Sequence, residues 1–281
     1  SILAKLKLAK WLSIEATADW TVQYYHALEG IPLGWSMDLI VPTNPNRPPE
    51  HATQYYAGAF MSFGKHHISL GAYDKKMDGL VHFSDASLLF SSAIAGWSNN
   101  VKVGSGTSWG VEFLYEKVGK MLNYRVAYTY SKTDRCFDGV NNGVRFPAKF
   151  DRRHILNATA NVLVADNEKM TVSLNGLFTF QSGHWETVAA GDYPAFTPFG
   201  ETIIIDYFTS TNNYRMPNYI RLDIGCNIDF KTKYPQELKV GLYNMLNRHN
   251  PFSIIYDDKS REWRQVSLIP IMPSVSYKIK F

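Results

Sequence analysis

The sequence has no run of about 18 apolar residues, the length that a membrane-crossing helix requires. Its longest apolar runs are short and interrupted, as at Thr202–Ile205. It has little cysteine. Cys136 and Cys226 stand far apart, which excludes a multi-disulfide scaffold and any thiolate metal spacing. The two thiols could pair in an oxidising compartment or stay free. It lacks a strong charge imbalance: Lys and Arg outnumber Asp and Glu by 29 to 25, a net +4. These charges are scattered rather than striped, which argues against a nucleic-acid partner. No leader peptide opens the chain. Ser1-Ile2-Leu3 runs directly into a strand pattern, so a fragment is expected, with an N-terminal part absent.

What the sequence has is aromatic residues, 14% of the total, and long stretches of strict alternation. Side chains switch faces at every residue of a strand, so alternation of apolar and polar residues marks a two-faced strand. At the end of the chain Val275, Tyr277, Ile279 and Phe281 share one face, and Ser274, Ser276, Lys278 and Lys280 the other. A terminal aromatic on an amphipathic strand suits the interfacial girdle of an outer-membrane barrel. A soluble edge strand is the plainer alternative. The pattern recurs over Ile2–Lys10, Trp11–Tyr25, Ala52–Phe63, His67–Asp74, Thr107–Lys117, Met121–Ser131, Ile155–Val164, Met170–Phe180, Tyr219–Phe230 and Glu237–Asn244. It is clearest where Ile220, Leu222, Ile224, Cys226, Ile228 and Phe230 oppose Arg221, Asp223, Asn227 and Asp229.

That makes about eleven strands, and their connections alternate in length. Short turns are expected at Lys10-Trp11, Gly64-Lys65, Gly119-Lys120, Asp166-Asn167 and Lys233-Tyr234-Pro235. Long links are expected over Leu28–His51, Leu80–Gly106, Arg135–Phe150, Glu186–Arg215 and Arg248–Gln265. Sorting of this kind predicts an all-β fold: a transmembrane, antiparallel, up-and-down β-barrel with periplasmic turns and extracellular loops. A soluble sandwich has no reason to sort loop lengths so regularly.

Few residues point to covalent chemistry. Asp151-Arg152-Arg153-His154 is the densest charged cluster, placed where a long link enters a strand. A lone His beside two Arg is a poor metal site, since the cations repel the ion. The reading adopted is an ion-pair latch that orders the loop over the barrel mouth. His66-His67, at a short turn, reads as a solvated pair. Asp257-Asp258 lacks further oxygen ligands at the spacing calcium needs. The polar-face residues Glu112, Arg125, Arg221 and Asp223 have two readings: they line a solute path, or they grip a plug in the lumen. Trp and Tyr at strand ends suit aromatic girdles. The loop aromatics Trp35, Trp97, Trp185, Tyr193, Phe196, Phe199, Tyr214 and Trp263 could contact ligand or pack the loops together.

An ordered set of motifs carries a resemblance. YTYSKTDR (Tyr128–Arg135), NNGVRFPAKFDRRH (Asn141–His154), SG (Ser182-Gly183), NNYRMPNYIRLDIG (Asn212–Gly225), GLYNMLNRHNPF (Gly241–Phe252) and SLIPIMPSVSYKIKF (Ser267–Phe281) follow one another in the chain. DLIVPTNPNRPPEHATQYYAG and YDKKMDGLVHF fit the same branch. Together these stretches resemble the C-terminal barrel portion of TonB-dependent outer-membrane receptors, in the branch with a carboxypeptidase-regulatory-like N-terminal domain. The resemblance implies a barrel of about 22 strands holding an N-terminal plug. It implies that residues 1–281 are about its last eleven strands, with the plug and the TonB-contacting segment absent from the chain. It also implies as partners outer-membrane lipid, the plug, the TonB complex and, in some members, a surface lipoprotein. No cofactor, metal or enzymatic activity is implied.

Three functions follow for test. The first is uptake of a large or scarce ligand, such as a metal chelate, cobalamin, oligosaccharide or peptide, with TonB-supplied energy. The second is a passive porin-like or structural barrel in a surface assembly. The third is a soluble carbohydrate-binding sandwich, which would need no detergent for extraction.

Overall fold

A computed structural model describes residues 1–28, 39–45, 47–83, 101–196, 200, 202–257, 260 and 262–281. Eleven strands form its wall: β1 (Ile2–Ala9), β2 (Leu12–Gln23), β3 (Glu50–Phe63), β4 (His66–Phe83), β5 (Val101–Lys117), β6 (Leu122–Phe137), β7 (His154–Asp166), β8 (Met170–Gln181), β9 (Tyr219–Phe230), β10 (Gln236–Tyr243) and β11 (Met272–Ile279). Each pairs antiparallel with the strands before and after it, so the wall is a single up-and-down meander. The short segment Phe146–Pro147 adds to β6 at Asp134 and Arg135. No described helix is long and apolar enough to cross a membrane.

The register keeps the two faces separate across the wall. One row runs Leu6, Ile14, Ala59, Leu70, Phe113, Tyr128, Leu156, Phe180, Ile220, from β1 to β9. The neighbouring row runs Lys5, Glu15, Gly58, Gly71, Glu112, Thr129, Ile155, Gln181, Tyr219. Cys226, Val240 and Val275 carry the apolar face on to β11, and Asp229, Glu237 and Lys278 the polar one. A one-residue slip anywhere would exchange the faces, so this agreement fixes the register. Among the described residues nothing covers the apolar face: Leu70 is 49% exposed and Val275 72%. An open apolar surface of that extent belongs against lipid or another apolar partner.

The five short turns lie together at one end of the wall. At one of them the Asn167 side chain accepts from the backbone N–H groups of Lys169 and Met170, an Asx turn. Trp11 stacks on Phe63, and Tyr234 lies beside Phe281, at the same end. The long connections lie at the other end and carry structure of their own. Tyr25–Leu28 pairs with Leu39–Pro42, Gly191–Phe196 with Thr202–Tyr207, and Pro251–Asp257 with Glu262–Ser267.

Three sequence boundaries need correction. Leu80–Phe83 and Val101–Gly106, expected in a link, are strand. At Asp78/Leu80 a β-bulge with Gly79 at φ +76° lets the ladder resume after the register shift. Arg135–Phe137, expected in the next link, completes the 16-residue β6. Val266 and Ser267 belong to a loop hairpin, and β11 starts at Met272. Strands of 18, 17 and 16 residues in β4, β5 and β6 reach well past the roughly ten that a tilted membrane strand needs.

The core is not inside the wall. It is a rim cluster of Leu80, Phe137, Val140 and Phe146, with Met77 against it, where the link after β6 folds back on the sheet. Gly104 and Gly106 make room for it, because a Cβ on Gly104 would overlap the Phe137 ring and one on Gly106 would press Leu80.

Candidate functional site

Asp151, Arg152, Arg153 and His154 lie at this same end, and the backbone sends the four side chains to four places. Asp151 is 4% exposed. Its Oδ1 accepts from the Thr133 backbone N–H at 2.7 Å, and its Oδ2 receives Arg153 Nη2 at 3.3 Å. The first bond ties the link after β6 back to β6, and the second closes within the link. The Arg that pairs with Asp151 is therefore two residues away in the same segment. Arg153 also sits over the Tyr130 ring, 5.9 Å from its centroid, on the apolar face. Arg152 turns instead toward Tyr219, a polar-face residue, and is half-buried. His154 Nδ1 is 2.8 Å from the Tyr128 hydroxyl, and the His154 backbone N–H donates to Ser182 Oγ at 3.0 Å. The four residues are thus a set of braces and not one chemical centre. Among the described residues no group of three metal-ligating side chains converges.

The remaining polar-face residues sort into two pairs at different depths. Arg125 pairs with Glu116 at 3.2 Å, across β5 and β6, while Glu112 lies on a different row. Arg221 Nε is 3.0 Å from Asp223 Oδ2, in ion-pair contact though out of line for a hydrogen bond. Arg221 Nη1 also donates to the hydroxyls of Tyr219 at 3.0 Å and Tyr243 at 3.2 Å, and its plane lies 4.7 Å from the Tyr243 ring centre. Asp223 Oδ1 accepts from the Asn244 backbone N–H at 2.9 Å, so the pair is fixed to the turn after β10. A shallow trough lined by Glu116, Asn123, Arg125, Thr159, Asn161, Asn175 and Asp223 runs along the polar face nearby.

Sequence reasoning missed the asparagines. Asn141 makes two bonds to Thr211: its Nδ2 donates to the carbonyl at 3.0 Å, and its Oδ1 accepts from the N–H at 2.7 Å. Asn212 donates to the Pro147 carbonyl at 2.8 Å. Asn250 clamps Ile220 through both its N–H and its carbonyl, each at 2.8 Å. An Asn side chain carries the same donor and acceptor as a peptide, so it can pair with a backbone that no strand reaches. These clamps join the links after β6 and β8 to each other and the link after β10 to the start of β9. The signal was present in NNG, NNY and NMLNRHN, where Asn141, Asn142, Asn212, Asn244 and Asn247 all take positive φ. The SG pair has an equally local cause. Ser182 caps the start of β7, and a Cβ on Gly183 would overlap the Met216 carbonyl.

Also on this rim, Glu186 receives His184 at 3.2 Å and Lys149 at 3.7 Å. Burial pushes its pKa up, but the bonds and charges of His184 and Lys149 outweigh burial and hold it below the usual carboxylate range. Of the loop aromatics, Trp185 packs under Arg215, while Tyr193, Tyr214 and Trp263 are exposed. Trp35, Trp97, Phe199 and Asp258 lie outside the described residues, as does the Phe196 side chain. Cys136 and Cys226 are both free thiols. His66 and His67 bond separately, to the Tyr115 hydroxyl and to Ser62 Oγ.

The model of a family described as TonB dependent receptor-like, beta-barrel matches residues 22–245. No curated protein matches the chain. Among solved structures the wall is similar to BauA, the ferric preacinetobactin receptor of Acinetobacter baumannii, with TM-score 0.64 and 14% identity over 99% of this chain and 36% of that one. It is similar to the ferric yersiniabactin uptake receptor FyuA of Yersinia pestis, with TM-score 0.65 and 10% identity over 99% and 36%. The ferripyoverdine receptor of Pseudomonas aeruginosa matches at TM-score 0.58 and 14% identity, over 90% of this chain and 29% of that one. The chain thus spans about a third of the length of the structures it matches, and at these identities the likeness is one of fold.

Proposed function

The chain belongs to the TonB-dependent receptor-like β-barrel family, a family of transport receptors and not of enzymes, and on that premise we propose that it is the C-terminal wall of an outer-membrane uptake receptor. The observation that carries this reading is the unbroken separation of apolar and polar rows from β1 to β11, joined to the sorting of short and long connections by end. In the receptor the wall closes with further strands into a barrel of about 22. The apolar face meets lipid, the polar face lines the lumen around a plug, and the long connections project outside the cell. The ligand is one too large or scarce for open pores: a metal chelate, cobalamin, an oligosaccharide or a peptide. Glu112, Arg125, Arg221 and Asp223 line the lumen. Asp151 and Arg153 hold the rim in shape, as does His154.

The test is accumulation of labelled ferric chelates, cobalamin and oligosaccharides by cells that make the full-length receptor, with and without working TonB. Accumulation of one of them only with TonB is expected. Entry that is independent of TonB would replace this reading with a passive pore.

A further inference from the structure

At the rim most arginines and Lys149 have a partner, and for Arg145, Arg215 and Arg248 it is a hydroxyl or a backbone carbonyl. Arg153 has Asp151, Lys149 has Glu186, and Arg221 has Asp223. Arg152 differs. Among the described residues its side chain makes no ion pair and no hydrogen bond, although it is half-buried. Burial pulls its pKa below the usual arginine value, and the Tyr219 hydroxyl opposes the effect only in part. Taking a guanidinium out of water without a counter-charge is unfavourable, so such a group is normally completed by an anion.

The surroundings supply the rest of a receptor for one. The Tyr219 hydroxyl acts electrostatically on Arg152, and it accepts from Arg221 at 3.0 Å. Arg221 reaches the Tyr243 hydroxyl too, at 3.2 Å. Arg248 Nη2 donates to the carbonyl of Asn218, the residue before Tyr219, at 3.3 Å. Three guanidinium groups from separate segments therefore bear on Tyr219 or the residue before it, and the one paired carboxylate, Asp223, belongs to Arg221. Forked guanidiniums flanked by phenol donors match the planar, multi-oxygen geometry of a carboxylate or a phosphate. Two of these groups are already held in place, Arg221 by Asp223 and two phenols, and Arg248 by a backbone carbonyl, so little ordering is needed on binding.

We propose that Arg152, Tyr219, Arg221 and Tyr243 form an anion subsite at the mouth of the polar face, which takes a carboxylate or phosphate group. The proposal rests on the uptake reading above and narrows its ligand class. One chemistry has two sources here: an acidic group of the imported ligand, or an acidic side chain of the plug.

The experiment titrates the full-length receptor in detergent with citrate and, separately, with inorganic phosphate, by calorimetry near neutral pH. If the ligand is the source, free anions bind saturably, Arg152→Gln weakens them about tenfold or more, and Arg152→Lys weakens them less. If the plug is the source, free anions do not bind, and Arg152→Gln instead loosens the plug and raises vancomycin entry into cells. An Arg152→Gln receptor with unchanged anion binding and unchanged vancomycin entry overturns the site. Heat-resistant migration reports folding. Should the Gln variant not fold, Arg152→Met, which keeps the packing of the stem, takes its place. TonB-dependent uptake is scored in the same cells. Uptake that needs TonB but ignores Arg152 sinks the subsite alone, whereas anion binding without TonB-dependent uptake sinks the transport reading alone.

Discussion

At the residue scale the chain contrasts glycines that are required with one that is not. Gly183 lies so close to the Met216 carbonyl that any Cβ would overlap a backbone atom, which cannot swing aside as a side chain can. Gly176, on the same side of the molecule in β8, has only the Asp223 carbonyl near its missing Cβ, at 3.9 Å. Gly183→Ala should therefore destabilise the rim by about 1–3 kcal/mol, as overpacking does. Gly176→Ala should change stability by about 0.5 kcal/mol or less. The midpoint of heat-modifiable gel migration checks both, and equal midpoints for the two variants would refute the close approach. A second prediction concerns Ile224, 40% exposed on the apolar face. Ile224→Arg should cost about 2–4 kcal/mol if the residue lies near the bilayer midplane, measured by reversible unfolding from lipid. Asn227→Arg, on the polar face of the same strand, should cost far less.

At the scale of elements the rim cluster carries a dependence on pH. His82 stands near the end of β4, about 50 Å along the strand from the short turn. That is beyond the apolar band of roughly 25 Å even at a steep tilt. Its ring packs 5.2 Å from Phe137 and 6.2 Å from Phe146. Burial first, and the Arg135 charge second, lower its pKa to about 4. The sign follows from proton counts. Between about pH 6.5 and 4 the unfolded segment binds a proton that the folded one refuses, so stability is full above that window and falls as pH drops through it. The loss by pH 4 is about 3 kcal/mol for the cluster. Hydrogen-exchange protection of residues 138–150, corrected for intrinsic rates, should fall across the window and stay flat in His82→Phe. A flat wild-type profile would remove His82 from the account.

The elements also show what could be read from sequence and what could not. The two-faced strands were legible because a lipid-facing strand must keep its apolar residues at every second position, as Ile220 to Phe230 do. The ends of β4 to β6 were not legible. Beyond the membrane the face next to the rim is covered by the chain itself, so the pattern changes at Lys75-Lys76 and Asp78-Gly79, and the bulge there resets the register. The place of Asp151, where a long link enters a strand, was legible. Its partner was not, since the bond to the Thr133 N–H depends on how the link after β6 folds back. The asparagine clamps escaped because they answer to backbone groups 30 to 70 residues away, which no local pattern displays.

For the molecule as a whole the decisive property is which way the wall faces, because lumen, lipid, turns and rim all follow from it. If the polar row is the lumen, Asn227 meets water, while Ile228, its neighbour in β9, meets lipid. The native thiols must first be removed, since Cys226 lies on the apolar face and Cys136 is also free. In a full-length receptor without them, a Cys at Asn227 should react with a hydrophilic maleimide much faster than a Cys at Ile228. A bilayer-soluble probe should reverse the order. The ends of the wall are settled in whole cells. A tag inserted at Gly200, in the hairpin of the link after β8, should be detected at the surface, and a tag at Glu168, in the turn between β7 and β8, only after the outer membrane is opened. Equal maleimide labelling at Asn227 and Ile228 would remove the lumen assignment and with it the anion subsite's access to a ligand. Surface detection at Glu168 and not at Gly200 would turn the wall upside down. The rim would then face the periplasm, and its clamps, its aromatic cluster and Arg152 would await a partner there.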